Sequence, residues 1–354
     1  MRVVLHEWAC SGGLHGPQAA PLPSSATLAA VVAEGRAMLA ALVADGLRAG
    51  EFDLTLLLDA ARPPLLSAAT GPVHVEPVPR GAELDRLVAL GAGADWTVIV
   101  APESDGLLAD RVAAVRAAGG RVAAPQGAFI ARAADKHATA LALAAGGVPV
   151  PAGRRLGPDE TWPPGFALPA VVKALDGCGG DGFARLDTPA DLLPAPRPRR
   201  LERHAAGVSV GVSALCGPAG HRILPPVRHL FSAEDRRFLG GRCDLPAALA
   251  DRAATLAGRA IAALERASAP AAGWVGVDMI LGHRDDGTVD RVLEVNPRLT
   301  TSFVGLARAG SASLLGALLA TAAGKVARWP GRRERDGSYS IATPDGAAAD
   351  VPPG

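Results

Sequence analysis

Over the first 125 residues, short apolar runs alternate with longer stretches whose apolar positions follow helical spacing. The runs at 3–5, 54–58, 73–78, 96–100 and 121–124 predict strands, and 28–47, 83–90 and 107–118 predict helices. Strands alternating with helices predict a parallel sheet covered on both faces, with functional loops at the strands' carboxyl ends. Ser11-Gly12-Gly13 follows the first strand in such a place, where a tight turn and a ligand contact are equally good readings.

Near residue 125 the pattern changes. A helix over 131–145 stops at Gly146-Gly147, a normal C-terminal cap, and the Pro149 and Pro151 that follow force extended chain. A strand over 170–173 runs into the glycine-rich stretch 176–182 and a second short strand, so a hairpin with a mobile tip is expected. Residues 194–200, rich in proline and arginine, read as an exposed boundary. Beyond them, 208–215 and 222–225 predict strands and 245–266 a long helix. Residues 274–281 and 289–295 predict an antiparallel hairpin, 307–323 a further helix, and the chain after Trp329 a weakly ordered or surface-bound tail. The expected division is 1–125, 126–200, 201–330 and a tail over 331–354.

Composition narrows the function classes. The 354 residues exceed what one hydrophobic core usually supports. With 36 basic against 35 acidic residues, a nucleic-acid scavenger or polybasic membrane binder is disfavoured. No apolar run reaches the ~18 residues of a membrane span. Cys10, Cys178, Cys216 and Cys243 are scattered without Cys-x-x-Cys spacing, so neither a zinc site nor a disulfide framework is suggested; a cytoplasmic protein is expected. Of the basic residues 33 are arginine and three are lysine: Lys136, Lys173 and Lys325. In a chain that so rarely uses lysine, the ones it keeps point to a need for a compact, flexible ammonium.

The candidate chemistry begins in the C-terminal hairpin. Asp278 interrupts an apolar strand, and Glu294 and Asn296 end its partner, projecting from one side because strand side chains alternate. Two carboxylates and an amide oxygen form a hard, oxygen-only set suited to Mg²⁺. The competing reading is a pair of strand-end carboxylates, solvated or paired with Arg291 and Arg298. Arg298 would stand beside the metal, its fork open to a phosphoryl group or a substrate carboxylate. Thr300, Thr301 and Ser302 could hydrogen-bond a polar substrate, or serve only the turn. Lys173 ends a strand before the glycine-rich tip, where ammonium and loop N–H groups can meet phosphate oxygens. The spacing fits neither a Walker loop nor a Rossmann fingerprint. Cys178 reads as a small residue in a bend, and His204, His221 and His229 as surface or loop histidines. His6 and Glu7 are open between substrate contact and structure.

Asp135-Lys136, the helix ending at Gly-Val-Pro-Val-Pro, Lys173, the glycine-rich loop, Glu202 before Gly207, Asp278 and Glu294-x-Asn296-Pro297-Arg298 occur in that order. The set resembles the ATP-grasp superfamily over roughly residues 125–323, preceded by its Rossmann-like domain. The resemblance implies an α/β chain whose two lobes clamp ATP. Lys136 and Lys173 would meet ATP phosphates, Lys173 also the adenine edge, and the loop with Gly177, Gly179, Gly180 and Gly182 would close over them. The hinge at Leu201, Glu202 and Arg203 would bind adenine. Asp278, Glu294 and Asn296 would ligate Mg²⁺, two ions for which Mn²⁺ can substitute, and Arg298 would face the γ-phosphate and an acyl-phosphate. Many relatives carry a ribose-binding carboxylate just after the hinge glycine, where this chain has Val208 and Ser209, so the ribose contact is left open.

Within the superfamily, the start through His6, Glu7 and Ser11, the strand 209–213 and the run 296–306 resemble the tyramine–glutamate ligases of methanofuran-type cofactor biosynthesis. That resemblance implies a cytoplasmic carboxylate–amine ligase acting on small molecules, an amino acid and an amine, with a homodimer left open. Glu7, Ser11, Thr300, Thr301, Ser302 and Arg298 would face substrate. A ligase for other amino acids, a carboxylating relative and an ATP-binding module without turnover stay as alternatives.

Overall fold

The computed structural model describes residues 1–15, 25–61, 73–177, 182–233, 237–325 and 338–341. Its first lobe runs β1 (Arg2–Glu7), α1 (Ser25–Ala49), β2 (Asp53–Asp59), β3 (Val73–Val78), α2 (Glu83–Gly93), β4 (Trp96–Val100) and α3 (Leu107–Ala117). The strands form a parallel sheet in the order β3-β2-β1-β4. Nearly every residue of β1 and β4 is buried, as continuous apolar strands covered on both faces require. The strand expected over 121–124 shrinks to a single bridge between Thr97 and Val122. Arg121 O still accepts from Thr97 N at 2.8 Å, but the carbonyls at the far end serve a side chain: Arg116 donates to Ala124 O at 2.6 Å and Pro125 O at 3.0 Å.

The middle lobe contains α4 (Gly127–Ala134), α5 (Lys136–Ala145), β5 (Gly153–Leu156), β6 (Ala170–Ala174), β7 (Ala184–Leu186) and β8 (Arg199–Arg203). The one helix expected over 131–145 is two. Asp135 takes an extended conformation between them, and its carboxylate accepts from His137 N and Ala138 N, capping α5. The antiparallel sheet runs β5-β8-β6-β7, so β6 and β7 form the expected hairpin. Arg199 and Arg200 are no exposed boundary: they belong to β8, buried between β5 and β6, and the sheet runs on to Arg203.

The last lobe contains β9 (Val208–Gly217), β10 (Gly220–Ile223), β11 (Val227–Phe231), β12 (Phe238–Arg242), α6 (Ala247–Ala267), β13 (Gly273–Leu281), β14 (Arg291–Asn296), α7 (Ser302–Ala309), α8 (Leu314–Ala322) and β15 (Tyr339–Ser340). The sheet order is β14-β13-β9-β11-β12-β15, with β10 paired to β9. Alternation along β13 sends Val275, Val277 and Met279 into the core shared with α6 and leaves Gly276 and Asp278 on the opposite face. The helix expected over 307–323 is again two, the second capped by the Ser313 hydroxyl, which accepts from Gly316 N. The tail expectation is corrected at 338–341: Tyr339 and Ile341 are buried and β15 pairs with β12.

The first and last lobes share one core, in which Met38, Leu39 and Leu42 of α1 join Phe303, Leu306, Leu314 and Leu315. Asp45, buried in α1, accepts from Ser313 Oγ at 2.7 Å and Leu315 N at 2.8 Å, which locks α1 to the start of α8. No helix among the described residues is long and apolar enough to cross a membrane.

Candidate active site

The antiparallel register of β13 and β14 sets Asp278 directly opposite Glu294, and Gly276 opposite Asn296. Asn296 Nδ2 donates to Asp278 Oδ2 at 2.9 Å. Two carboxylates at adjacent positions cannot both ionise at their ordinary pKa. Burial and the Glu294 charge push Asp278 up to about 7. Burial also works to raise Glu294, but Lys136 and Lys173 overcome it and hold that carboxylate at about 2. Among the described residues no three His, Cys, Asp or Glu side chains gather as a metal cluster. The donor set is two carboxylates and one amide, and its oxygens and crowded negative charge suit a hard divalent cation that keeps several waters.

Lysines approach this face from two elements. Lys136 opens α5 behind the Asp135 cap; its Nζ lies 3.3 Å from Glu294 Oε2 and donates to Gly177 O at 2.5 Å. Lys173 leaves β6, pairs with Glu202 Oε1 at 2.7 Å and donates to Leu293 O at 3.1 Å, so the two antiparallel sheets meet at its ammonium. Arg200 fixes the other oxygen of Glu202 at 2.7 Å and also donates to Pro151 O at 3.0 Å. Gly177 and Gly182 flank the glycine-rich tip, and Gly182 has φ +65°, which favours glycine. Gly179 and Gly180, like Cys178 and most of the expected tail, lie outside the described residues.

At the expected hinge, Leu201 is a core side chain and Glu202 serves the two cations. Arg203 N donates to Ala152 O and His204 N to Pro169 O, so the backbone of this strand is used by its neighbours and the hinge beyond the ladder is 205–207. Ser209, where a ribose carboxylate would stand, bonds His229 Nδ1 at 3.1 Å. His229 corrects the surface reading: it lies in β11, edge-on to Phe231 and Phe238, with Nε2 3.8 Å from Asp278 Oδ1. Burial pulls it down to about 4, so it is neutral near pH 7.

Arg298 follows β14 and forms an ion pair at 3.0 Å with Glu103, a buried carboxylate just past the carboxyl end of β4. Here the first lobe reaches the face that carries Asp278 and Glu294. Of the three hydroxyls after it, Thr300 and Ser302 bond each other at 2.8 Å, while Ser302 also meets Ser213 Oγ at 2.8 Å. Thr301 Oγ1 instead meets Tyr339 OH at 3.3 Å. Ser11 is fully buried and donates to Leu57 O at 2.7 Å, so its hydroxyl holds a turn; the expected substrate contact is corrected. Glu7 is likewise buried, accepting from Cys10 N at 2.9 Å. His6 is structural, 2.5 Å from Glu83 Oε1, while Arg111 grips both oxygens of Glu83.

Sequence reasoning missed Glu103, Tyr339, His229 and Arg200. Only Glu103 carried a signal in the chain, a carboxylate in the loop after a strand of a parallel sheet, where such folds place function.

Comparison with known proteins gives the same architecture. Residues 133–302 match the ATP-grasp domain family, and residues 53–128 match the pre-ATP-grasp 3 domain. No curated protein matches the chain. Among solved structures, an ATP-grasp superfamily protein from Archaeoglobus fulgidus superposes with TM-score 0.66 at 19% identity, covering 94% of this chain and 90% of that one. The carboxyaminoimidazole ribonucleotide synthase of Aspergillus clavatus, complexed with ATP, gives 0.64 at 18%, covering 94% and 79%. The D-alanine–D-alanine ligase of Bacillus anthracis, also with ATP, gives 0.58 at 17%, covering 91% and 97%.

Proposed function

We propose that this chain, whose residues 133–302 match the ATP-grasp domain family behind a match to the pre-ATP-grasp 3 domain at 53–128, is an ATP-dependent carboxylate–amine ligase of the ATP-grasp type. The observation that carries the reading is the convergence of Asp278, Glu294 and Asn296 with Lys136 and Lys173 where the two antiparallel sheets meet. A bridged triphosphate needs that arrangement: hard oxygen donors for a divalent cation, with ammonium groups beside them.

Asp278, Glu294 and Asn296 would hold Mg²⁺, which when bound neutralises phosphate charge. Lys136 and Lys173 exchange Glu294 and Glu202 for phosphate oxygens. Adenine lies against the hinge at 205–207. A substrate carboxylate attacks the γ-phosphorus, giving an acyl-phosphate and ADP. Arg298, oriented by Glu103, meets the equatorial oxygens and then the acyl-phosphate. An amine attacks the acyl carbon and phosphate departs. No nucleophilic side chain is required, because positioning and electrostatics carry the reaction.

The narrower reading is that the acid is L-glutamate, through its γ-carboxylate, and the amine tyramine or a relative, in methanofuran-type cofactor biosynthesis. What supports it is the resemblance of the first strand and of the run 296–306. The test is ADP release from Mg-ATP with L-glutamate and tyramine, with product mass determined. ADP together with a γ-glutamyl amide supports the whole reading; ADP only with another acid or amine keeps the ligase and discards the narrower substrates. Asn296→Ala is expected to abolish turnover more than nucleotide binding, and unchanged turnover would sink the metal assignment.

A further inference from the structure

An acceptor amine reaches an amide-forming site as an ammonium, and the site described above is lined with cations. Lys136, Lys173 and Arg298 all repel it, so an acid must stand where it binds. Several acids near that face are engaged. Asp278 and Glu294 form the metal-type pair, Glu202 is held between Lys173 and Arg200, and Asp135 caps α5. The expectation that Glu7 faces substrate is corrected. It is buried and accepts from Cys10 N, and a Cβ on Gly35 would fall on its carboxylate, so α1 rests directly on the end of β1.

Glu103 is placed differently. It is 8% exposed, and it borders a small cleft with Lys136, Glu294 and Asn296 that admits one group of about a water's size. Its Oε1 lies 3.0 Å from Arg298 Nε, yet the contact is one of charge alone, because that buried oxygen accepts no hydrogen bond among the described residues. A buried carboxylate oxygen with unused accepting capacity, turned to the reaction site, is a place for a donor. The turn that carries it is fixed to another lobe. Asp105, at φ 52°, pairs with Arg197 at 3.0 Å and directs its N–H to Asp176 Oδ2 at 3.3 Å, which braces the loop after β4 against the middle lobe. Glu103 therefore stands where the three lobes meet.

We propose that Glu103 seats the acceptor amine in its ammonium form, an assignment that rests on the ligase reading above. Arg298 supplies the positive charge opposite Glu103. When its fork is shared with phosphoryl oxygens, Glu103 is left short of positive charge, and an ammonium restores the balance. The acceptor therefore binds after the nucleotide, beside the Arg298 that holds the acyl-phosphate. The ligand class follows: a primary aliphatic amine, cationic in solution, in preference to a neutral amide, a hydroxyl or a second carboxylate.

The test sets a cationic acceptor against hydroxylamine, which is uncharged at neutral pH and captures acyl-phosphates as hydroxamates. Wild type, Glu103→Gln and Glu103→Asp would be assayed with Mg-ATP and each of the common amino acids, using either hydroxylamine or a panel of primary amines beginning with tyramine. In Glu103→Gln the KM for the amine should rise ~10–100-fold, the worth of a charge-assisted hydrogen bond, with KM for hydroxylamine within about threefold of wild type. A misplaced Arg298 lowers kcat with both acceptors alike, so a merely structural role does not split the two KM values. Glu103→Asp keeps the charge one methylene back and should fall between; it carries the test if the glutamine variant does not fold. Calorimetric titration of the amine should show tighter binding to wild type with a non-hydrolysable ATP analogue and Mg²⁺ than without, and no such gain in Glu103→Gln. An unchanged amine KM, a KM raised equally for both acceptors, or a loss confined to Mg²⁺ affinity overturns the proposal. Hydroxamate without an amide from any amine overturns it too, with the acyl-phosphate chemistry left standing. A wild-type enzyme that forms no hydroxamate with any acid fails at the ligase reading itself, and the proposal falls with it.

Discussion

Glu83→Gln tests how the first lobe is held in place beneath the site. Glu83 sits at the start of α2, almost completely buried, with His6 Nε2 2.5 Å from Oε1 and Arg111 at 2.8 and 2.6 Å from its two oxygens. Burial alone would raise its pKa; the His6 hydrogen bond and the Arg111 ion pair outweigh it and hold the carboxylate at about 2 against its ordinary 4.5. That difference corresponds to about 3 kcal/mol of folding stability at pH 7, in line with the ~3–5 kcal/mol lost when one partner of a buried pair is removed. Glutamine keeps the volume and removes the charge, leaving Arg111 without its ionic partner. Because the folded pKa is depressed, the contribution is complete above pH 4.5 and fades as pH falls toward 2. The gap between wild type and variant should therefore shrink to about 1.5 kcal/mol at pH 3. Urea unfolding of both proteins at pH 7 and pH 3 measures it. Coincident midpoints at pH 7, or a gap that stays constant down to pH 3, would refute the reasoning.

Two further outcomes follow from contacts already described. Gly35→Ala gains helix propensity of about 1 kcal/mol but drives its methyl group into the buried Glu7 carboxylate, which costs about 1–3 kcal/mol. A lowered melting temperature is expected, and an unchanged or raised one counts against the α1–β1 contact. Arg298→Lys keeps the charge but loses the planar fork that Glu103 orients, so kcat should fall ~10²–10³-fold with ATP affinity nearly unchanged. A kcat near that of wild type would remove Arg298 from the reaction.

The elements that the sequence discloses are those with local causes. Val73–Val78 and Trp96–Val100 coincide with the apolar runs, and the register of Asp278 with Glu294 follows from the hairpin they belong to. The breaks inside expected helices were harder to see, since alanine-rich chain around Asp135 and Ser313 keeps its helical spacing through both caps. Only the side chain's turn toward the next N–H groups ends one helix and starts another, although Asp and Ser are the residues that do this. The strands β11 and β12 escaped because Arg228, His229, Arg237 and Arg242 interrupt the apolar alternation there.

The partners at the site divide in the same way. Lys136, Lys173, Asp278, Glu294, Asn296 and Arg298 stand in ordered motifs, whereas the groups that tune them come from distant chain. Glu103 reaches Arg298 from the first sheet, and Tyr339 reaches Thr301 from beyond the last helix. Local spacing encodes a strand's face but not which buried carboxylate will stand across a lobe boundary, because that depends on how α1 and β4 pack against the last lobe. The consequence is electrostatic: each expected phosphate contact is matched to an acid supplied by another element, Lys136 to Glu294, Lys173 to Glu202 and Arg298 to Glu103. A divalent cation on Asp278 and Glu294 weakens the hold on Lys136 while it draws in phosphate, so metal and nucleotide should bind with positive coupling. Titrating nucleotide affinity against Mg²⁺ in wild type and in Glu294→Gln measures that coupling. It should be strong in the first and largely lost in the second, and equal coupling in both would mean the cation binds elsewhere.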